Sequence, residues 1–145
     1  MAFIDEEVAY LRSQRLARIA TVAPDGQPDV VPVGFEFDGT YLYVGGMDAA
    51  RTRKFLNVRA GNPKVALVVD DLVSTQPWTP RYLRIYGTAE LVERRGQFGP
   101  APYMRITPTT PGAGTSKDCP SPTTARSLSI ARFTKLPSGR TERAC

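Results

Sequence analysis

The 145 residues comprise 41% hydrophobic and 23% charged side chains, the composition of one globular domain, and no apolar stretch nears the roughly 18 residues of a membrane-spanning helix. With no histidine anywhere, and with Cys119 and Cys145 both near the end, residues 1–118 offer no catalytic triad, histidine base, thiol nucleophile or zinc site, so a reaction here draws its reactive atom from a cofactor. The net charge of +5 belongs to the tail: residues 1–106 carry 13 basic against 12 acidic groups and residues 107–145 carry 6 against 2, so the body lacks the basic stripe of a nucleic-acid binder.

The chain opens with Asp5, Glu6 and Glu7 where a secretory signal would be basic, so a cytoplasmic location is expected. Asp5 as N-cap ahead of Val8 and Leu11 predicts a short amphipathic helix over residues 6–14. Residues 16–23 read as a strand that ends at the turn Pro24-Asp25-Gly26-Gln27-Pro28, with residues 30–37 as its hairpin partner. Asp38-Gly39 marks another turn and residues 40–45 a third strand. Asp48 then caps a helix over residues 49–59, stopped by Gly61 and Pro63. Residues 64–69 form an apolar run of the kind buried on both faces, and residues 70–80 a loop in which Asp70-Asp71 is a turn. Residues 82–92 alternate, with Leu83, Ile85, Gly87, Ala89 and Leu91 facing inward; a Gly/Pro loop over 96–102 leads to a last strand over 103–107. The sum is a mainly β fold: a six-stranded antiparallel barrel with short flanking helices, filling residues 1–108.

Three features could carry chemistry. In Gly45-Gly46-Met47-Asp48-Ala49-Ala50-Arg51-Thr52-Arg53-Lys54 a strand runs through two glycines into a helix, which would gather amides and cations as a phosphate grip; Arg51 and Lys54 share a helical face with Thr52 beside them. The plainer alternative is a solvated basic helix face. Pro32 within a strand implies an edge or a bulge, and Gly34 admits the close approach of a backbone or a flat ring, although barrel closure alone would explain both. Trp78, between Pro77 and Pro80, serves either to stack on a ligand or to cap a barrel end.

Taken in order, these segments resemble the split-barrel flavin and deazaflavin oxidoreductases related to pyridoxamine 5'-phosphate oxidase. The resemblance rests on residues 13–22, 25–28 and 30–35, on Arg51-Thr52-Arg53-Lys54-Phe55 with Asn57-Val58, and on residues 68–72 with Pro77-Trp78. Within that family the chain is most similar to the actinobacterial branch that uses reduced coenzyme F420 and includes reductases of tetracycline-type antibiotic biosynthesis. The resemblance implies an FMN-binding split-barrel fold and a homodimer with the cofactor between subunits. It implies that Arg51, Thr52 and Lys54 hold the cofactor phosphate, that Val31, Pro32, Val33 and Gly34 line the ring through their main chain, and that Gln76 and Trp78 reach over from the partner. The implied reaction is hydride transfer from the deazaflavin to an activated C=C, or a similar acceptor, of a small molecule. FMN is the alternative cofactor, and cofactor or tetrapyrrole binding without turnover the alternative role.

Residues 107–145 hold 8 Thr, 5 Ser and 5 Pro, with residues 128–133 as the one patterned run. Such a composition reads as a disordered tail over residues 109–145. The family typically continues here into a strand with a Ser-Trp pair. Read in a shifted frame, codons for residues 111–120 can spell Trp-Ser-Trp-Asp-Ile-Glu-Gly-Leu-Pro, so a frame-shifted tail that has lost the last strand is the alternative, decided by the DNA near codon 110.

Overall fold

The computed structural model describes residues 3–97 and 99–109, together with a two-residue strand at 129–130. Helix α1 (Asp5–Ser13) starts one residue earlier than the sequence suggests. Glu7 turns back so that its Oε2 accepts the Ile4 N–H at 3.1 Å, and Asp5 lies inside the helix instead of capping it. The strands are β1 (Leu16–Val22), β2 (Pro28–Gly34), β3 (Glu36–Phe37), β4 (Leu42–Val44), β5 (Lys64–Thr75), β6 (Trp78–Gly96), β7 (Gly99–Pro108) and β8 (Ser129–Ile130), with helix α2 (Arg53–Arg59) between β4 and β5.

All pairings are antiparallel, and the sheet order is β2-β1-β5-β6-β7-β4-β3, with β8 on β6. The two ends of that order, β2 and β3, are separated in the chain by Phe35 alone. One stretch of backbone therefore serves both edges of the sheet and draws it into a split barrel. The expected second strand is thus two strands; this division and β8 account for eight elements where six were expected.

Two expected loops are strands. The segment over 70–80 continues the ladder to Thr75↔Trp78, and the segment over 96–102 is a hairpin paired at Gly96↔Gly99. Prolines are tolerated in both for identifiable reasons. Pro80 sits beside the register shift between Leu72 and Ser74, and Pro100 and Pro102 precede Met104, where β7 first pairs with β4. The run over 64–69 is not buried on both faces: Val65, Leu67 and Val69 are buried, while Ala66 and Val68 are half-exposed on the other side. On β6 the expected alternation holds, with Leu83, Ile85, Gly87 and Ala89 buried.

Inward residues from every long strand build one core, including Ile19, Leu42, Val44, Leu67, Met104 and Ile106. Phe55 and Val58 of α2 close it on one side, and Tyr10 and Leu11 of α1 on another. Buried Thr21 accepts a hydrogen bond from Asn57 Nδ2 at 2.9 Å, which ties α2 to β1 without leaving either polar group bare. Apart from Thr109 and the 129–130 strand, the expectation of a disordered or frame-shifted tail lies outside the described residues. Among the described residues no helix is long and apolar enough to cross a membrane.

Candidate functional site

Strand β2 is the end of the sheet order and pairs with β1 without a register break, so Pro32 marks an edge and not a bulge. Pro28 and Pro32 share one phase of that ladder. A proline in a ladder must take the phase whose main chain turns away from its neighbour, which directs the main chain of Val30, Pro32 and Gly34 outward. Side chains alternate accordingly: Val33 is buried and Val31 packs on the core, while Val30, Pro32 and Gly34 are exposed. A side chain at Gly34 would meet a single atom within 4 Å, the Arg15 carbonyl oxygen at 3.9 Å. That is an ordinary contact distance, so nothing fills the space the glycine leaves.

The expected helix over 49–59 is not continuous. A single 3-10 turn, Ala49–Arg51, precedes α2, and Thr52 between them is extended, so the 100° spacing argument for Arg51 and Lys54 does not apply. Asp48 adopts a left-handed conformation (φ 50°) and makes no side-chain cap. Thr52 holds the N-cap of α2, but its Oγ1 donates to the Ala49 carbonyl at 2.6 Å, leaving the first amides of α2 without a side-chain acceptor. A helix of seven residues adds little dipole, so any anion here is held mainly by cations. Arg51 and Arg53 are exposed. Lys54 is half-buried; desolvation pulls its pKa below the ordinary 10.5, and Asp29 of β2 partly restores it. The Asp29 carboxylate of β2 thus acts on Lys54 through its charge, with no ion pair between the two among the described residues.

Gln76 and Trp78 lie elsewhere, on the β5–β6 hairpin, where Gln76 is in the exposed turn and Trp78 opens β6 opposite Thr75. Trp78 borders an outward groove of about 680 Å³ with Val68, Leu72, Tyr82 and two ion pairs. Asp70 is paired with Arg18, and Asp71 accepts from Arg81 Nε at 3.0 Å and Nη2 at 2.7 Å. The two acids are therefore strand residues and not the turn the sequence suggested. Arg81 and the hydroxyl of Tyr10 together hold the Asp71 carboxyl below its ordinary pKa. Burial and the bond to Asp71, 2.8 Å from the Tyr10 oxygen, push that phenol upward, so it is locked as a donor and is no proton source at neutral pH. Sequence reasoning missed this cluster: Val65 to Val69 are all apolar in type, and the alternating burial they show in the fold stops at Asp70 and Asp71, both half-exposed. Among the described residues no group of three His, Cys, Asp or Glu side chains could hold a metal ion.

A split barrel closed by one strand, with an open main-chain edge beside a cationic corner, defines a class that comparison identifies. The pyridoxamine 5'-phosphate oxidase family matches residues 3–115, and the chain belongs to that family. It is 44% identical over 100 residues, 67% of this chain and 69% of the relative, to a 5a,11a-dehydrotetracycline/5a,11a-dehydrooxytetracycline reductase of Streptomyces rimosus. A solved F420 reductase superposes with a TM-score of 0.53 at 27% identity, covering 66% of this chain and 87% of that one. An FAD-binding protein from Mesorhizobium loti shares the fold, with a TM-score of 0.57 at 23% identity over 72% of this chain and 87% of its own.

Proposed function

We propose that this protein is an oxidoreductase that binds reduced F420 along the outer edge of β2 and reduces an activated C=C of a small organic acceptor, a dehydrotetracycline-type polyketide among the candidates. The observation that carries the reading is the exposed outer edge of β2, where no side chain fills the space at Gly34. In this reading Arg51, Thr52 and Lys54 grip the phosphate, and the exposed main chain at Pro32 and Gly34 meets the polar rim of the ring. Val31 and Val33 hold that strand flat from inside by packing on the core. Bound there, the reduced deazaflavin supplies the hydride. The chain's own part is to bind, orient and exclude water, which suits a body without histidine or thiol.

The reading includes a homodimer in which Gln76 and Trp78 reach the partner's cofactor. What supports it is the apolar outward face of β1, β5 and β6, where Val22, Leu72, Trp78, Tyr82 and Tyr86 are all at least 36% exposed. The likeness to a solved F420 reductase supports the deazaflavin over FMN, and the identity to the reductase from Streptomyces rimosus supports the acceptor class. Titrating the purified chain with F420 and, separately, with FMN tests the assignment. Saturable F420 binding that weakens at least about tenfold in the Arg51→Ala, Lys54→Ala double variant supports it. FMN binding without F420 binding overturns the cofactor, and tight binding without turnover of any supplied acceptor overturns the enzyme.

A further inference from the structure

Strand β6 is longer than its neighbour. Strand β7 covers it from Gly96 down to Gly87, where Pro108 ends the ladder, and Thr109 adds a last pair of bonds to the Tyr86 carbonyl, from its N–H at 2.9 Å and its Oγ1 at 3.2 Å. Below Tyr86, β5 satisfies one edge of β6 and β7 no longer reaches the other. An open strand edge is a row of unpaired amides and carbonyls ready to accept a further strand.

Ser129 and Ile130 occupy part of this edge, opposite Tyr82 and Arg81, and they run antiparallel to β6 as β7 does. Had β7 continued in register, residue 113 would face Tyr82; Ser129 stands there, sixteen residues further along. The sequence gives a physical reason for the skip. Straight continuation would lay down Pro111-Gly112-Ala113-Gly114, among the poorest strand formers, whereas residues 128–133 are the one patterned run of the tail.

We propose that the lower edge of β6 is a strand-acceptor site and that its occupant is this chain's own segment around Ser129 and Ile130. The tail serves as a replacement edge strand and covers main chain that would otherwise recruit another molecule. The pairing of Ser129 and Ile130 falls on Tyr82 and Arg81, which border the groove beside Trp78.

Hydrogen exchange on the full-length chain tests this. Peptides within residues 78–86 are expected to exchange at least about tenfold more slowly in the native chain than in the double variant Ser129→Pro, Ile130→Pro, which cannot donate from either phase of the ladder. Peptides within residues 88–96, held by β7, are expected to be unchanged, which shows that the barrel itself is folded. As a second measurement, Tyr82→Cys with Ser129→Cys, in a Cys119→Ser, Cys145→Ser background, is expected to close an intramolecular disulfide, since directly paired strand residues lie within its reach. Equal exchange in the native and proline chains overturns the proposal. So does protection that grows with protein concentration alongside disulfides between chains, because the occupant is then a second copy.

Discussion

At one end of the barrel Arg94 is held by Glu36 at 2.5 Å and lies 3.9 Å from the centre of the Tyr43 ring, whereas at the α2 corner Arg51 and Arg53 are exposed and form no ion pair among the described residues. The glycines differ in the same way. A side chain at Gly45 would stand 2.6 Å from Cε1 of the buried Tyr103 ring, while one at Gly34 would meet only the Arg15 carbonyl oxygen at 3.9 Å. Each glycine stands at a strand end, Gly45 following β4 and Gly34 closing β2. Only in the first does the rest of the chain use up what those residues offer. A glycine whose missing side chain is replaced by a neighbour serves packing; one whose space stays unfilled on an exposed strand edge is available to a ligand.

The largest expected effect breaks the Tyr103 end. Gly45→Ala forces the ring out of place and is expected to cost about 1–3 kcal/mol in chemical denaturation, whereas Gly34→Ala should change stability by less than about 0.5 kcal/mol. Acid should act on the same network. Burial raises the Glu36 carboxyl, but the Gln97 amide and Arg94 more than offset it, so its pKa is lowered; Asp71 is lowered chiefly by Arg81. Both carboxyls bind protons less readily folded than unfolded. Their contribution is therefore present above the ordinary values of 4.5 and 3.8 and is lost as pH falls below them. Urea midpoints measured from pH 6 downward should decline, and Asp71→Asn should flatten part of the decline. The smallest effect is expected at Trp78, whose side chain is 51% exposed: Trp78→Ala should shift the thermal midpoint of the isolated subunit by no more than about 2 °C while weakening cofactor binding.

How far the fold could be read from the chain depended on how local its signal was. Alternation on β6 and the Gly26 and Gly39 turns are local, and they place strands and hairpins where the structure has them. The β5–β6 hairpin was obscured because Pro77, Pro80 and two adjacent acids look like loop punctuation. The features that make them acceptable, a register shift and arginines from β1 and β6, come from elsewhere in the fold. The segment over residues 45–54 shows its cations and glycines in the sequence but not its geometry, because an extended Thr52 interrupts the helix that periodicity predicted. Closure through Phe35 could not be seen at all, since no local pattern says that one strand serves both edges of a sheet.

The contrast between the two glycines admits a direct measurement: F420 affinity and thermal midpoint of Gly34→Leu beside the native chain. An added side chain at this edge should leave the midpoint within about 2 °C, because nothing in the chain occupies the space, and should weaken F420 binding at least about tenfold. Native affinity in Gly34→Leu would contradict the account, since the ring would then lie somewhere other than the outer edge of β2.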